Sequence, residues 1–234
     1  MRIRDKIKKP QRPVVAYEIL PPREKDGTLN SYAETISSLL SQTHIDAINI
    51  PEVLDEAGRG DRPIANYKRG EPREFGRLLQ DIVGIEAIIN RVVVHDNYDT
   101  QMRWLEETNL VYEIENMIIV GGESSNVEYP GPTVNQALEA ISSSYNKDGR
   151  DIFCGGIAIP SRKEESKNLI KKSKNGSEFF TTQVLYDSDN IIKMMNNYQS
   201  RCDDLNTFPR RILLSFAPVS SQKNIEFLKW LGVE

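Results

Sequence analysis

The chain is poor in the residues on which thiol, metal and nucleophilic-triad chemistry depend. Its two cysteines, Cys154 and Cys202, lie far apart, and neither belongs to a Cys-x-x-Cys pair. Two free thiols of this kind are the ordinary state of a cytoplasmic protein. Its two histidines, His44 and His95, are too few for a histidine-based metal centre. No run approaches the roughly 18 apolar residues of a membrane span, and the basic start, Met1 to Pro10, has no apolar stretch that would make it a signal peptide. The 34 acidic and 30 basic side chains form no basic block, which argues against nucleic acid or an anionic membrane as partner. No Gly-x-Gly-x-x-Gly follows the first strand-like run and no Gly-Lys-Ser/Thr loop occurs, so the common dinucleotide and phosphate cradles are missing.

What the chain does have is a repeated cadence. Strand-like runs occur at 14–20, 47–50, 87–94, 117–120, 152–159, 179–185 and 211–216. They are continuously apolar rather than alternating, the pattern of a parallel sheet buried on both faces. Helical spacing lies between them, as in Ile36, Leu39 and Leu40, in Phe75, Leu78, Leu79 and Ile82, and in Ile191, Met194 and Met195. Asn30 or Ser31, Asp99, Thr133 and Ser188 are plausible helix caps. Seven βα units of about 30 residues in one domain predict a TIM-type (β/α)8 barrel with the eighth unit missing. The single domain spans 1–234, with residues 1–12 a basic extension. An incomplete barrel predicts a homo-oligomer or a second subunit.

In such a barrel the chemistry gathers at the C-terminal strand ends. There the sequence places Glu18, Asn49 to Glu52, Asn90 and Arg91, Gly121-Gly122-Glu123, Ala158 to Pro160, Gln183 to Asp187, and Ala217 to Ser220. Amides, glycines and one acid on a strand suit a flat heteroaromatic ligand whose edge is read by hydrogen bonds, with Glu18 as the group for proton transfer. Gln183 satisfies a backbone group inside the barrel, or it binds ligand. Lys172, in a lysine-rich helix, reads as a solvated residue.

Four motifs carry a family resemblance. Tyr17-Glu18-Ile19-Leu20-Pro21-Pro22-Arg23, Thr182-Gln183-Val184-Leu185-Tyr186-Asp187, the helix from Leu169 through Lys172 to Gly176, and Ala217-Pro218-Val219-Ser220 resemble, in order, segments of the methylenetetrahydrofolate reductase family. The resemblance implies a TIM-type barrel with FAD at its C-terminal face. Hydride would pass from NADH or NADPH through the flavin to a 5,10-methylene reduced pterin, giving the 5-methyl form. By position it makes Glu18 the proton donor and puts Gln183, Glu123 and Tyr186 at the substrate. Gly122, Glu123, Lys172 and Ala158 fall at the cofactor.

The chain also departs from the family. An Arg-Gly-Asp turn becomes Gly121-Gly122-Glu123, a histidine becomes Arg91, a Thr-Tyr-Gly segment becomes Ile50-Pro51-Glu52, and a Tyr-Pro-Glu-x-His segment becomes Ile159-Pro160-Ser161-Arg162. Arg91 and Arg162 then become candidate phosphate ligands. The alternative function is a pterin-binding or partner-dependent subunit of a C1-transfer complex, without reductase activity of its own.

Overall fold

The computed structural model describes residues 1–54, 62–122, 127–145 and 152–233. The strands are β1 (Ala16–Glu18), β2 (Ala47–Pro51), β3 (Ala87–Val92), β4 (Asn116–Val120), β5 (Phe153–Ala158), β6 (Phe179–Val184) and β7 (Arg211–Ser215). Helices α2 (Leu29–Leu40), α3 (Pro72–Val83), α4 (Tyr98–Leu110), α5 (Val134–Ala140), α6 (Glu165–Lys174) and α7 (Asp189–Asp204) connect successive strands. A short α1 (Ile3–Lys8) precedes them and α8 (Gln222–Trp230) follows β7. The seven strands pair in sequence order, and every pair is parallel. The result is a curled half barrel, an incomplete TIM-type fold, in which β1 and β7 each have one strand neighbour among the described residues.

Alternation along the strands divides the core into two layers. Between sheet and helices lie Ile48, Ile50, Phe75, Leu79, Ala87 and Ile89 on one side of the sheet's span, and Ala158, Leu169, Phe180, Ile191 and Tyr198 on the other. The inner face begins with Ala47, Ile88, Ile118, Phe153 and Phe179. Phe153 and Phe179 stack with ring centroids 4.8 Å apart. Gly155 makes room for them, because a Cβ there would lie 2.5 Å from the Phe179 ring.

The N-terminal segment is a plug rather than a loose basic extension. Ile3 and Ile7, one turn apart on α1, are buried in this inner-face cluster. The basic residues around them neutralise acids at the base of the barrel. Lys6 and Arg12 both reach the buried Asp46 carboxylate, at 3.0 and 2.7 Å, while Lys8 and Arg4 pair with Glu178. Asp46 also accepts from the Val15 amide at 3.0 Å. That side-chain bond replaces a ladder contact and helps explain why β1 is shorter than its apolar run. At its other end Pro21-Pro22 cannot continue the ladder.

Helix starts follow capping chemistry, partly at other residues than expected. Thr133 and Gln136 form a capping box on α5. The caps of α2 and α4 are Thr28 and Asn97, upstream of the expected Asn30 or Ser31 and Asp99. Ser188 makes no side-chain cap on α7; the Asp187 carboxylate accepts from the first helical amides instead.

The plug gives a direct test. Ile7→Ala removes a fully packed side chain and should lower the unfolding free energy by about 2–5 kcal/mol. Lys9→Ala, at an exposed position, should stay within about 0.5 kcal/mol. Urea unfolding of both variants reads the difference.

Candidate active site

Parity along the strands decides which polar side chains reach the inner face. Glu18 on β1 stands in register with Asn49 on β2, and Asn49 Nδ2 donates to Glu18 Oε2 at 2.8 Å. Ile88 belongs to the inner cluster, so Asn90, two residues on, shares its face. Phe179 does the same for Thr181 and Gln183 on β6. Glu18 and Gln183 therefore look onto the same concave surface from opposite ends of the sheet. Thr181 Oγ1 and Ser215 Oγ pair at 3.2 Å between them and the β7 edge.

Glu18 is not in a buried strand, as the apolar run implied. All three β1 residues are exposed, because β1 is an edge strand. Its carboxyl is nevertheless crowded by the surrounding wall. Desolvation raises its pKa above the ordinary glutamate value, and the bond from Asn49 works in the opposite direction. The group is thus open to a ligand and biased towards holding its proton. A carboxamide can serve either state by presenting Nδ2 to the carboxylate or, after a flip, Oδ1 to the acid.

The other expected site residues divide sharply. Gln183 donates to the Leu231 carbonyl at 2.7 Å, so it holds the chain's C-terminal turn against the inner face. The Tyr186 hydroxyl, on an exposed ring, donates to the Ala217 carbonyl at 2.7 Å. A cleft of about 200 Å³ runs beside Gln183 and Tyr186, closed on its far side by Pro160, Asn190 and Val233. Helix α8 reaches across from there: its stacked Phe227 and Trp230 lie under the Arg62 guanidinium, at 5.1 and 5.5 Å, from the segment after β2.

Arg91 faces the helices. Its Nε donates to Gln101 Oε1 at 3.1 Å, Nη1 to Glu52 and Nη2 to Asp96 at 2.6 Å, and the group lies 4.6 Å over the Trp104 ring. Lys172 is buried rather than solvated. Its Nζ donates to the Ile157 carbonyl at 2.6 Å and lies 3.5 Å from Glu165, and burial holds its pKa below that of an ordinary lysine, with Glu165 opposing. Glu165, which the motifs did not single out, is the hub here. It also accepts from the Ile159 amide, Arg162 and Asn168, tying the end of β5 to α6. Its signal was the seven-residue spacing from Glu165 to Lys172, which puts an acid and a base two turns apart on one helix face.

Ala158 lies in the sheet–helix core. Gly122 backs onto Tyr129, whose ring a Cβ would meet at 2.2 Å. Glu123 lies outside the described residues.

These positions test the flavin that the resemblance implies. Every Arg91 guanidinium nitrogen already donates within the protein and the group faces the helices, Lys172 is committed to Ile157 and Glu165, and Ala158 is enclosed between sheet and helix. Arg162, whose side chain is half-exposed, keeps capacity. Arg91, Lys172 and Ala158 therefore do not fit the group.

A family profile described as methylenetetrahydrofolate reductase matches residues 2–233. The chain belongs to the methylenetetrahydrofolate reductase family. Its fold is similar to that of a Clostridium thermocellum protein described as binding two copies of 5-methyl-5,6,7,8-tetrahydrofolic acid. The TM-score is 0.78 at 20% identity, over 99% of this chain and 75% of that one. More distant barrels are similar at TM-score 0.54: an oxaloacetate acetylhydrolase, at 11% identity over 99% and 76% of the two chains, and a 2,3-dimethylmalate lyase, at 12% over 98% and 76%. At these identities the likeness is one of fold. A search among curated proteins returned no match. In this family's barrel, Glu18, Asn49, Asn90 and Gln183 are the polar side chains that the strands bring to the inner face.

Two measurements follow. Because the folded state holds the Glu18 proton more tightly than the unfolded chain, this group favours folding below its unfolded pKa of about 4.3. That contribution is lost as pH rises through the higher folded pKa. Glu18→Gln should therefore be more stable than the parent at neutral pH, with the gap closing towards pH 4 in melting curves. Arg91→Leu leaves Glu52 and Asp96 facing no cation and should cost about 3–5 kcal/mol in urea unfolding.

Proposed function

We propose that this chain binds a reduced, folate-like pterin on the inner face of the half barrel, and that Glu18 is its proton donor in the conversion of a 5,10-methylene to a 5-methyl form. The observation that carries this reading is Glu18 itself: an accessible carboxyl at a barrel strand end, whose pKa desolvation raises and which is held by Asn49. The chemistry asks for such a group. Opening the five-membered ring breaks the bond between the bridging carbon and N10, and the electron pair left on N10 must take a proton. The carbon is then an iminium at N5, which becomes a methyl group on accepting hydride. A carboxyl of ordinary pKa is ionised at neutral pH and has no proton to give. Family membership supports the substrate class, and so does the folate bound by the C. thermocellum protein.

The hydride source separates two forms of the proposal. The family resemblance favours FAD, reduced by NADH or NADPH. The internal commitment of Arg91 and Lys172 favours the other form, a pterin-binding subunit that acts with a partner and performs no reduction alone.

Calorimetry with 5-methyltetrahydrofolate tests the binding, and a lack of binding at millimolar ligand would overturn it. Glu18→Gln should keep affinity within about threefold yet slow conversion of the 5,10-methylene form by at least 100-fold under conditions where the parent, alone or with its partner, is active. An unchanged rate would remove the proton-donor role. Titration with FAD, followed by flavin fluorescence, decides between the two forms: saturable quenching selects the reductase, and no quenching selects the partner-dependent subunit.

A further inference from the structure

Polar atoms on the inner face mostly have partners. The Thr181 and Ser215 hydroxyls meet each other, Gln183 meets Leu231, and the Asn49 amide nitrogen meets Glu18. Two atoms do not. The carboxamide oxygens of Asn49 and Asn90 are buried without a hydrogen-bond partner, on residues only 9% and 8% exposed. A buried acceptor left unpaired disfavours the fold that contains it. Neither position needs an amide for the sheet. Neighbouring β2 and β3 positions are Ile48, Ile50, Ile88 and Ile89, all buried, and a β-branched residue would fit the strand better.

Their placement is orderly. Asn49 lies opposite Glu18, and Asn90 pairs in register with Pro51, so it stands one strand further round and one inward-facing step nearer the mouth. The Asn49 nitrogen is the atom that meets the Glu18 carboxyl, so its oxygen is the atom left over. Glu18, Asn49 and Asn90 thus form a rising line of one carboxyl and two acceptors. A ligand that satisfies this line must present N–H groups beside the atom Glu18 serves. Reduced pterins are rich in such groups: the reduced ring carries an N8–H and the pyrimidinone an amino group and an N3–H. An oxidised isoalloxazine offers one ring N–H among carbonyl oxygens and bare nitrogens, and would set acceptors against acceptors.

We propose that Asn49 and Asn90 are specificity-determining residues that accept hydrogen bonds from the N–H groups of the pterin and select it over acceptor-rich heteroaromatics. The inference rests on the pterin reading above and adds the residues that read the ring. It separates ligand recognition from stability in a way a structural asparagine would not. Asn90→Leu in the full chain removes an unpaired acceptor, so its thermal unfolding should be unchanged or shifted upward; Asn49→Leu also removes the hydrogen bond to Glu18 and is read by affinity alone. Calorimetric affinity for 5-methyltetrahydrofolate should fall by tenfold or more in each. Asn90→Leu should also bind the 2-desamino analogue as well as the parent ligand, whereas the unmodified protein prefers the parent. A lowered melting temperature with unchanged affinity, or unchanged affinity alone, overturns the proposal while leaving the pterin reading intact. If the unmodified protein binds no reduced pterin, both fall together.

Discussion

The stack of Phe153 on Phe179, closed from below by Ile3 and Ile7, is the contact on which the rest of the molecule depends. A parallel sheet that curls through seven strands creates an inner face that must be filled at its base, or the strands have nothing to curl around. Here the filling is two aromatic rings, small residues at Ala47 and Gly155, and one amphipathic turn supplied from outside the sheet. Because the floor is complete and apolar, the tier above it is free to be polar. Glu18, Asn49, Asn90, Thr181 and Gln183 occupy that tier, each one or more alternation steps above an apolar neighbour on its own face.

Exposure and desolvation coexist at Glu18 because the barrel is open. In a closed barrel, a carboxyl at this height would be walled on every side. At an edge strand it is walled on one side and open on the other, which admits a ligand without surrendering the field that favours the proton. The charged groups further out obey a different economy. Arg91, Lys172 and Glu165 are buried between sheet and helices, and each is paired within the protein. They lock strand ends to helices and keep the rim in shape.

The fold was legible because continuous apolar runs separated by 3.6-period segments admit few arrangements, and the order β1 to β7 follows from right-handed βα connections. The site was legible only in part. Glu18 and Gln183 stood out in their motifs, and both reach the inner face. Arg91 and Ala158 were drawn from the right strands but the wrong parity. Their neighbours Asn90 and Ile157 point inward, and a one-residue step exchanges the faces. Fixing parity required one known inward residue per strand, which the near-uniform hydrophobicity of parallel strands conceals. Lys172 looked solvated because its helix is rich in lysine, yet its partner Glu165 lies seven residues earlier on the same face. The N-terminal plug was hidden by its charge: two isoleucines among six basic residues read as a tail until the acids they meet, Asp46 and Glu178, are brought beneath them in space.

The plug also sets an order on the life of the chain. Ile3 and Ile7 are synthesised well before the rings they pack against, which belong to residues 153 and 179. At roughly 5–20 residues per second, about 7–35 s of synthesis separate the two halves of that contact. Throughout that interval an apolar turn waits without its floor while strands accumulate beside it. Such long sequence separation slows folding, since the loop must close before any contact rewards it. The lysines and arginines interleaved with the isoleucines thus have a second use, keeping the waiting segment hydrated and apart from other chains until the last ring arrives.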